Sequence, residues 1–202
     1  MKYMALVSAM ALGSSCFGMI VGTTGAATLV SPPASLASGV FASSTQAFAI
    51  NEKQGVLFNG VIDKYLPIIG LAYTASSATP VAPGPRWVNS HIIHFDNRFQ
   101  PQAGPVTGTV TFDKVIIGVN FTRPRLDASD AALGNPGTIY PFGWANRGFS
   151  TVIDTFTVVN PFTIRFTLAN TQEMDEIRVL TLPGPGSLAT AGAMLVLRRR
   201  RR

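Results

Sequence analysis

The chain has 202 residues, enough for one ordinary domain with short signals at its ends. Its formal charge of +6 belongs to those ends, because Arg198 to Arg202 close the chain and Lys2 opens it. With those six set aside, ten Lys and Arg face ten Asp and Glu, so the body is neutral and lacks the basic face that nucleic acid requires. The one cysteine, Cys16, lies in the leader, which excludes a disulfide framework, a thiolate zinc site and a cysteine nucleophile from the body. Without cysteine, the body is expected to be held together by core burial or by a bound ion.

Residues 1–27 read as a secretory signal peptide. Lys2 supplies the positive start, Met4 to Leu12 the apolar core, and Phe17 to Val21 a second apolar patch. Small residues at Gly25 and Ala27 suit cleavage after Ala27, and an earlier site is also open. Such a leader implies the Sec export machinery and signal peptidase as partners. Residues 28–181 then form the body. Ser31-Pro32-Pro33 forces an extended lead-in, and Phe41 and Phe48 are expected to reach into the core.

The body reads as strands. Gly55-Val56-Leu57-Phe58 is a short apolar run, and Asn59-Gly60 is a hairpin turn pair that returns the chain through Val61. Residues 65–73 are a further apolar segment, and 75–85 a Ser/Ala/Pro loop. Residues 86–95 read as one long strand. Residues 106–112 alternate with period two, Asp113-Lys114 turns, and 115–121 returns, which predicts a β-hairpin with one apolar face. Residues 126–133 suit one or two helical turns with Asp127 as N-cap. Residues 149–159 and 162–168 predict a second hairpin around Asn160-Pro161, with a bulge. The final strand is 175–181. Short strands, turn pairs and little helical periodicity predict an all-β, antiparallel β-sandwich, plausibly jelly-roll-like.

Residues 182–202 differ from the body. Pro183, Gly184, Pro185 and Gly186 make a hinge that neither strand nor helix continues. Leu188 to Leu197 is uncharged and apolar, and predicts a short C-terminal apolar helix of about half the 20 residues that a stable span needs. The arginines that follow, Arg198, Arg199, Arg200, Arg201 and Arg202, are a cytoplasmic stop.

This order of parts, Pro183-Gly184-Pro185-Gly186-Ser187-Leu188, a short apolar segment and a terminal arginine cluster, resembles the PEP-CTERM sorting signal of exosortase-processed bacterial exported proteins. Gly184 stands where that family has glutamate. The body pieces 89–96, 126–130 and 177–180 are similar to a type found in the same family. The resemblance implies an exosortase-like membrane protease as partner, transient tethering to the inner membrane, and an exported product at the cell envelope, the surface or the extracellular matrix. It implies no activity for the body.

Three chemistries stand beside a purely structural reading. His91 and His94 lie three apart, and on a strand they point to opposite faces, so they do not chelate together without a bulge. Asp96, Asp127 and Asp130 are oxygen ligands in loops that suit a structural Ca²⁺, with helix capping and loop anchoring as the competing role. Tyr140 and Trp144, with Trp87 and Phe142, could stack on a sugar ring of an extracellular polysaccharide or could close one end of the core. A hydrolase needs a nucleophile with its base or two carboxylates across a cleft, and no spacing selects either. The sequence therefore reads as a non-catalytic envelope or matrix protein with no obligatory cofactor, with a carbohydrate-binding module and then a secreted hydrolase as alternatives.

Overall fold

The computed structural model describes residues 18–98, 104–149, 153–169 and 174–184. The chain is mostly β. Its strands are β1 (Ile20–Gly25), β2 (Ala27–Val30), β3 (Ala47–Asn51), β4 (Val56–Phe58), β5 (Lys64–Tyr65), β6 (Ala72–Tyr73), β7 (Arg86–Asp96), β8 (Val106–Phe112), β9 (Ile116–Asn120), β10 (Thr155–Asn160), β11 (Thr163–Leu168) and β12 (Met174–Thr181). One α-helix, α1 (Arg123–Leu133), lies between β9 and β10.

Two sheets stack as a sandwich. The first runs β1-β8-β11-β10-β6 and the second β2-β3-β7-β12-β9-β5, with β4 paired to the start of β7. Among the described residues the strands pair antiparallel except β2 with β3, which is parallel, so the purely antiparallel expectation is corrected there. The chain passes from β2 to β3 through a long excursion over the second sheet, and so returns in the same direction.

The first sheet alternates as its sequence does. Val106, Val110 and Phe112 of β8, Phe156 and Val158 of β10, and Ile164 and Phe166 of β11 point inward. Their neighbours are threonines on the outer face, and Thr24–Thr109, Thr107–Thr167 and Thr111–Thr163 hydrogen bond across strands at 2.6, 3.1 and 3.2 Å. Such cross-strand pairs each contribute a few tenths of a kcal/mol to about 1 kcal/mol.

The second sheet is buried on both faces. Every residue of β12 and every residue of β9 is buried, as is β7 from Val88 onward. Ile93, Phe95, Ile177, Val179 and Val119 face the first sheet. The opposite face is covered by residues 34–46, by α1 and by residues 135–147. There Leu36, Ile50 and Ile92 form a second apolar cluster with Phe41, Phe48 and Tyr140 packed against it, so both phenylalanines are core residues of this outer layer.

Several local expectations change. Residues 106–121 do not form a hairpin: β8 and β9 lie in different sheets, and the turn at 113–115 carries the chain across the sandwich. Asn59-Gly60 closes no hairpin either, because β4 pairs with Arg86 to Val88 instead of folding back on the next residues. By contrast β10 and β11 pair as a hairpin with a register shift between Val158 and Asn160.

Helix α1 starts three residues earlier than the sequence suggests. Its N-cap is Thr122, and Asp127 lies within the helix rather than capping it. Buried Asp63 instead holds the residues that lead into the helix: its carboxylate accepts the Phe121 and Thr122 amides at 2.9 and 2.7 Å and the Thr122 hydroxyl at 2.8 Å. Burial raises the Asp63 pKa against the lowering effect of those hydrogen bonds.

Ile20–Gly25, inside the leader as read from sequence, forms the edge strand β1 and pairs with β8. A cut after Ala27 would remove that strand. The chain then steps from the first sheet to the second at Gly25-Ala26, where Gly25 has φ +65° and a Cβ would sit 2.6 Å from the Thr107 carbonyl oxygen. Only glycine fits there without strain. Gly25→Ala should therefore lower unfolding stability by about 2 kcal/mol, measured as a lower urea midpoint with an unchanged slope.

Candidate functional site

The outer face of the second sheet holds a cluster of buried charges. Period two places His94 and Ile92 of β7, and Glu176 and Arg178 of β12, on that face, while His91, Ile93, Ile177 and Val179 face the core. The register sets Glu176 directly beside His94 and Arg178 beside Ile92. Both strands are interior to the sheet, so the covering layer must satisfy every polar atom these residues present.

Arg178 is completely buried and uses all its donors. Nε and Nη2 donate to the two oxygens of Glu52 at 2.7 and 2.8 Å. Nη1 donates to the Leu126 carbonyl at 3.1 Å and to Ser129 Oγ at 2.7 Å, and Nη2 also donates to Asp130 at 2.9 Å. Glu52 is completed by Ser90 Oγ and the Tyr140 hydroxyl, each donating at 2.7 Å. The Tyr140 ring also lies under the guanidinium, 5.4 Å from it. Burial raises the Tyr140 pKa, and the neighbouring Glu52 carboxylate raises it further.

Arg147 enters from the opposite side. Gly148 follows it with φ +83°, and a Cβ there would sit 2.7 Å from the Phe121 carbonyl, so glycine is needed to turn the arginine inward. Its Nε donates to Glu176 at 2.6 Å, its Nη1 to Asp127 and Asp130 at 2.7 and 2.6 Å, and its Nη2 to Asp130 at 2.9 Å. Asp130 thus joins the two arginines through α1. Glu176 also faces His94 Nδ1 at 2.8 Å, and His94 Nε2 faces the Phe41 carbonyl at 3.1 Å. Burial alone would raise Glu176, but the charge of Arg147 and the His94 and Arg147 hydrogen bonds hold its carboxyl at about 2. Both guanidiniums likewise stay charged, because their carboxylates outweigh burial.

Asp127 and Asp130 are thus brought together, one turn apart on α1, but their oxygens meet arginines. Asp96 lies apart from them in function: it accepts the Gly39 and Arg98 amides at 2.5 and 2.8 Å and anchors two loops. Among the described residues no group of three or more His, Cys, Asp or Glu is arranged to hold a metal ion. The histidines lie on opposite faces as their spacing requires, and both are fully buried. His91 packs on Phe112 and bonds Asn51 and Thr181 at 2.8 and 3.2 Å. Burial pushes it down to about 3, against the raising effect of Asp113.

The aromatic pair is divided. Tyr140 is tied to Glu52, whereas Trp144 is half-buried with the Arg98 guanidinium 4.8 Å over its ring. Phe142 between them is 77% exposed. A cleft of about 430 Å³ opens beside this loop, between Thr122, Arg123 and Pro124 at the start of α1 and residues 145–149. Of the tail, Leu182 is anchored by its amide to the Val115 carbonyl and by its carbonyl to the Asn89 side chain, each at 2.9 Å. Pro183 and Gly184 follow it. Pro185, Gly186, the short C-terminal helix and Arg198 to Arg202 lie outside the described residues.

Glu52, Arg147, Glu176 and Arg178 were not singled out from sequence. Glu176 and Arg178 did carry a signal: two charges at alternate positions of an otherwise apolar strand demand partners. Glu52 and Arg147 carry none, since each sits in an ordinary polar stretch. The three segments 89–96, 126–130 and 177–180 meet in this network. Comparison with protein-family models, curated proteins and solved structures gives no match to the chain.

What the arrangement does chemically is to cross-link. It joins residues 52, 90, 94, 127, 130, 147, 176 and 178, drawn from five parts of the chain, without a covalent bond. Arg178→Leu should cost about 3–5 kcal/mol, because it strands the Glu52 carboxylate. Arg178→Leu combined with Glu52→Leu should recover much of that loss, and urea unfolding of the single and double variants checks it.

The depressed values set the pH dependence. Below its ordinary 6.5 the unfolded His91 takes up a proton that the native state refuses until about 3. Unfolded Glu176 likewise protonates below its ordinary 4.5, and the native group only near 2. In both windows the unfolded state binds more protons, so stability falls as pH falls. His91 contributes a slope of roughly 1 kcal/mol per pH unit between pH 6.5 and 4.5, where His91→Gln should flatten the profile of unfolding free energy.

Proposed function

We propose that this chain is an exported, non-catalytic β-sandwich of the cell envelope or extracellular matrix, delivered there through its C-terminal signal by an exosortase-like membrane protease. The observation that carries this is the tail: Pro183 to Gly186, the apolar Leu188 to Leu197, and the closing arginines. The geometry adds support. Strand β12 is one of the two central strands of the second sheet, and the chain runs from it through Leu182 into the hinge at Pro183. A protease acting near Pro185 would find its site just beyond the folded body. The arginines would hold the chain on the cytoplasmic side until that cut.

The ionic network suits the same reading. A body without cysteine cannot use disulfides outside the cell, and this one cross-links its layers with two buried arginines instead. The acids Glu52, Asp127, Asp130 and Glu176 are engaged by guanidinium groups rather than set across a cleft, which favours a structural role over hydrolysis.

Within the all-β sandwich we favour a jelly-roll-like arrangement. Strands β7, β8, β9 and β10 alternate between the two sheets, and β12 and β11 return between their partners. The short strands β5 and β6 extend the two sheets at equivalent edges. The second functional reading, a carbohydrate-binding module, rests on exposed Phe142 beside Trp144.

Because β1 belongs to the sandwich, the earlier leader cleavage site is the one compatible with the fold. Intact mass of the protein recovered from its native envelope and medium should therefore show loss of a leader ending at or before Gly18 and of residues after about Pro185. A mass that retains Arg198 to Arg202 would overturn the sorting proposal.

A further inference from the structure

One end of the sandwich is apolar where a solvated surface should not be. The turn between β8 and β9, the β10–β11 turn, and the loop between β5 and β6 all lie at this end, because Leu66 bonds Ile117 and Gly70 bonds Val158. There Leu66, Ile68, Ile69 and Leu71 are 47–61% exposed, with Val159 and Phe162 beside them at 45% and 42%. The loop is tied to β10 by the Ile69–Val158 bridge, and the Tyr73 hydroxyl accepts the Ile68 amide at 2.6 Å. A built loop that presents four large aliphatic side chains to water marks a contact surface.

Both routes out of the described fold leave from this same end. The Met19 amide donates to the Asp113 carboxylate and the Met19 carbonyl accepts the Asp113 amide in the β8–β9 turn, and the Leu182 amide donates to the Val115 carbonyl in that turn. Beyond Gly184, Leu188 opens the apolar segment only four residues later, a reach of at most about 14 Å. If the tail sits in a bilayer, this end is held against the lipid and no other part of the body can be. Lys64 borders the loop, and the one acid of the crossing turn, Asp113, is paired with Lys114 at 3.2 Å, so the patch does not repel an anionic surface.

We propose that this end docks on a lipid bilayer, with the loop carrying Leu66 to Leu71 and residues Val159 and Phe162 entering the interfacial region while the tail tethers the chain. The inference rests on the tail reading above. Docking would orient the sandwich with its strands standing off the membrane and would present the start of β12 and the Phe142 loop outward. It would also hold the Pro183 hinge at the lipid surface, within reach of a membrane-embedded protease.

The test uses the full chain with its tail, in a Cys16→Ser background, bearing an environment-sensitive fluorophore at Ile69→Cys, Val159→Cys or Thr45→Cys. Thr45 is exposed and belongs to the opposite end, where the Ser43 amide bonds the Asp96 carbonyl. On mixed phosphatidylethanolamine–phosphatidylglycerol vesicles, the probes at 69 and 159 should blue-shift and be quenched by lipid-borne quenchers, and the probe at 45 should do neither. Adding Ile68→Ser with Ile69→Ser should remove most of the shift at 159. Protein that floats with the vesicles while the probe at 69 stays water-like would overturn docking and leave the tail reading intact. Protein that does not float at all would overturn both. A shift at 69 without vesicles would overturn the proposal in favour of another occupant: a second copy if the shift depends on concentration, the chain's own Leu188 to Leu197 if it does not.

Discussion

Arg178 cannot be buried at the centre of a sheet without a complete set of acceptors, and much of the outer layer is arranged to supply them. A desolvated guanidinium with one unmet N–H costs more than most single contacts return. Glu52 must therefore be brought from the end of β3, Ser129, Asp130 and the Leu126 carbonyl from α1, and Tyr140 from the loop that follows. Each of these then needs partners of its own, and Arg147, Glu176 and His94 extend the set until it closes. The consequence is specificity of placement: the helix and both covering loops have one position over the sheet at which these bonds are all made.

The two faces of the second sheet thus do different work. The face toward the first sheet is apolar and non-directional, and accounts for most of the burial. The outer face is directional, and fixes a layer that has little regular structure of its own. Residues 34–46 and 135–147 contain no strand of the sandwich, yet Phe41, Tyr140 and Arg147 hold them down. For a body that lacks disulfides this is a way to order long loops by charge-assisted bonds.

Polarity along the long axis separates two further properties. At one end lie the hydrophobic loop, the crossing turns and the points at which the chain leaves the described fold. At the other lie the start of β12, Asp96 and the loops beside Trp144. The proposed sorting route and the proposed membrane contact both use the first end, which leaves the second free to face outward. The ionic network lies between them, under α1.

The sequence by itself determined what is periodic or compositional. The strands β7, β8 and β12, the β10–β11 hairpin, the opposite facing of His91 and His94, and the neutral body all follow from alternation and counting, because a strand's side-chain period is local. Tertiary structure decided what depends on pairing between distant segments. No local rule sends β8 and β9 to different sheets, turns β2 and β3 parallel, or moves the start of α1 to Arg123, since Asp63 holds the N-cap residue Thr122 from 59 residues away. The same holds for the network. Asp127 and Asp130 were visible as acids on a helical turn, but their partners Arg147 and Arg178 are chosen by the packing of the helix on the sheet. An ion pair has no sequence period, so charge complementarity across the fold appears only when the fold is built.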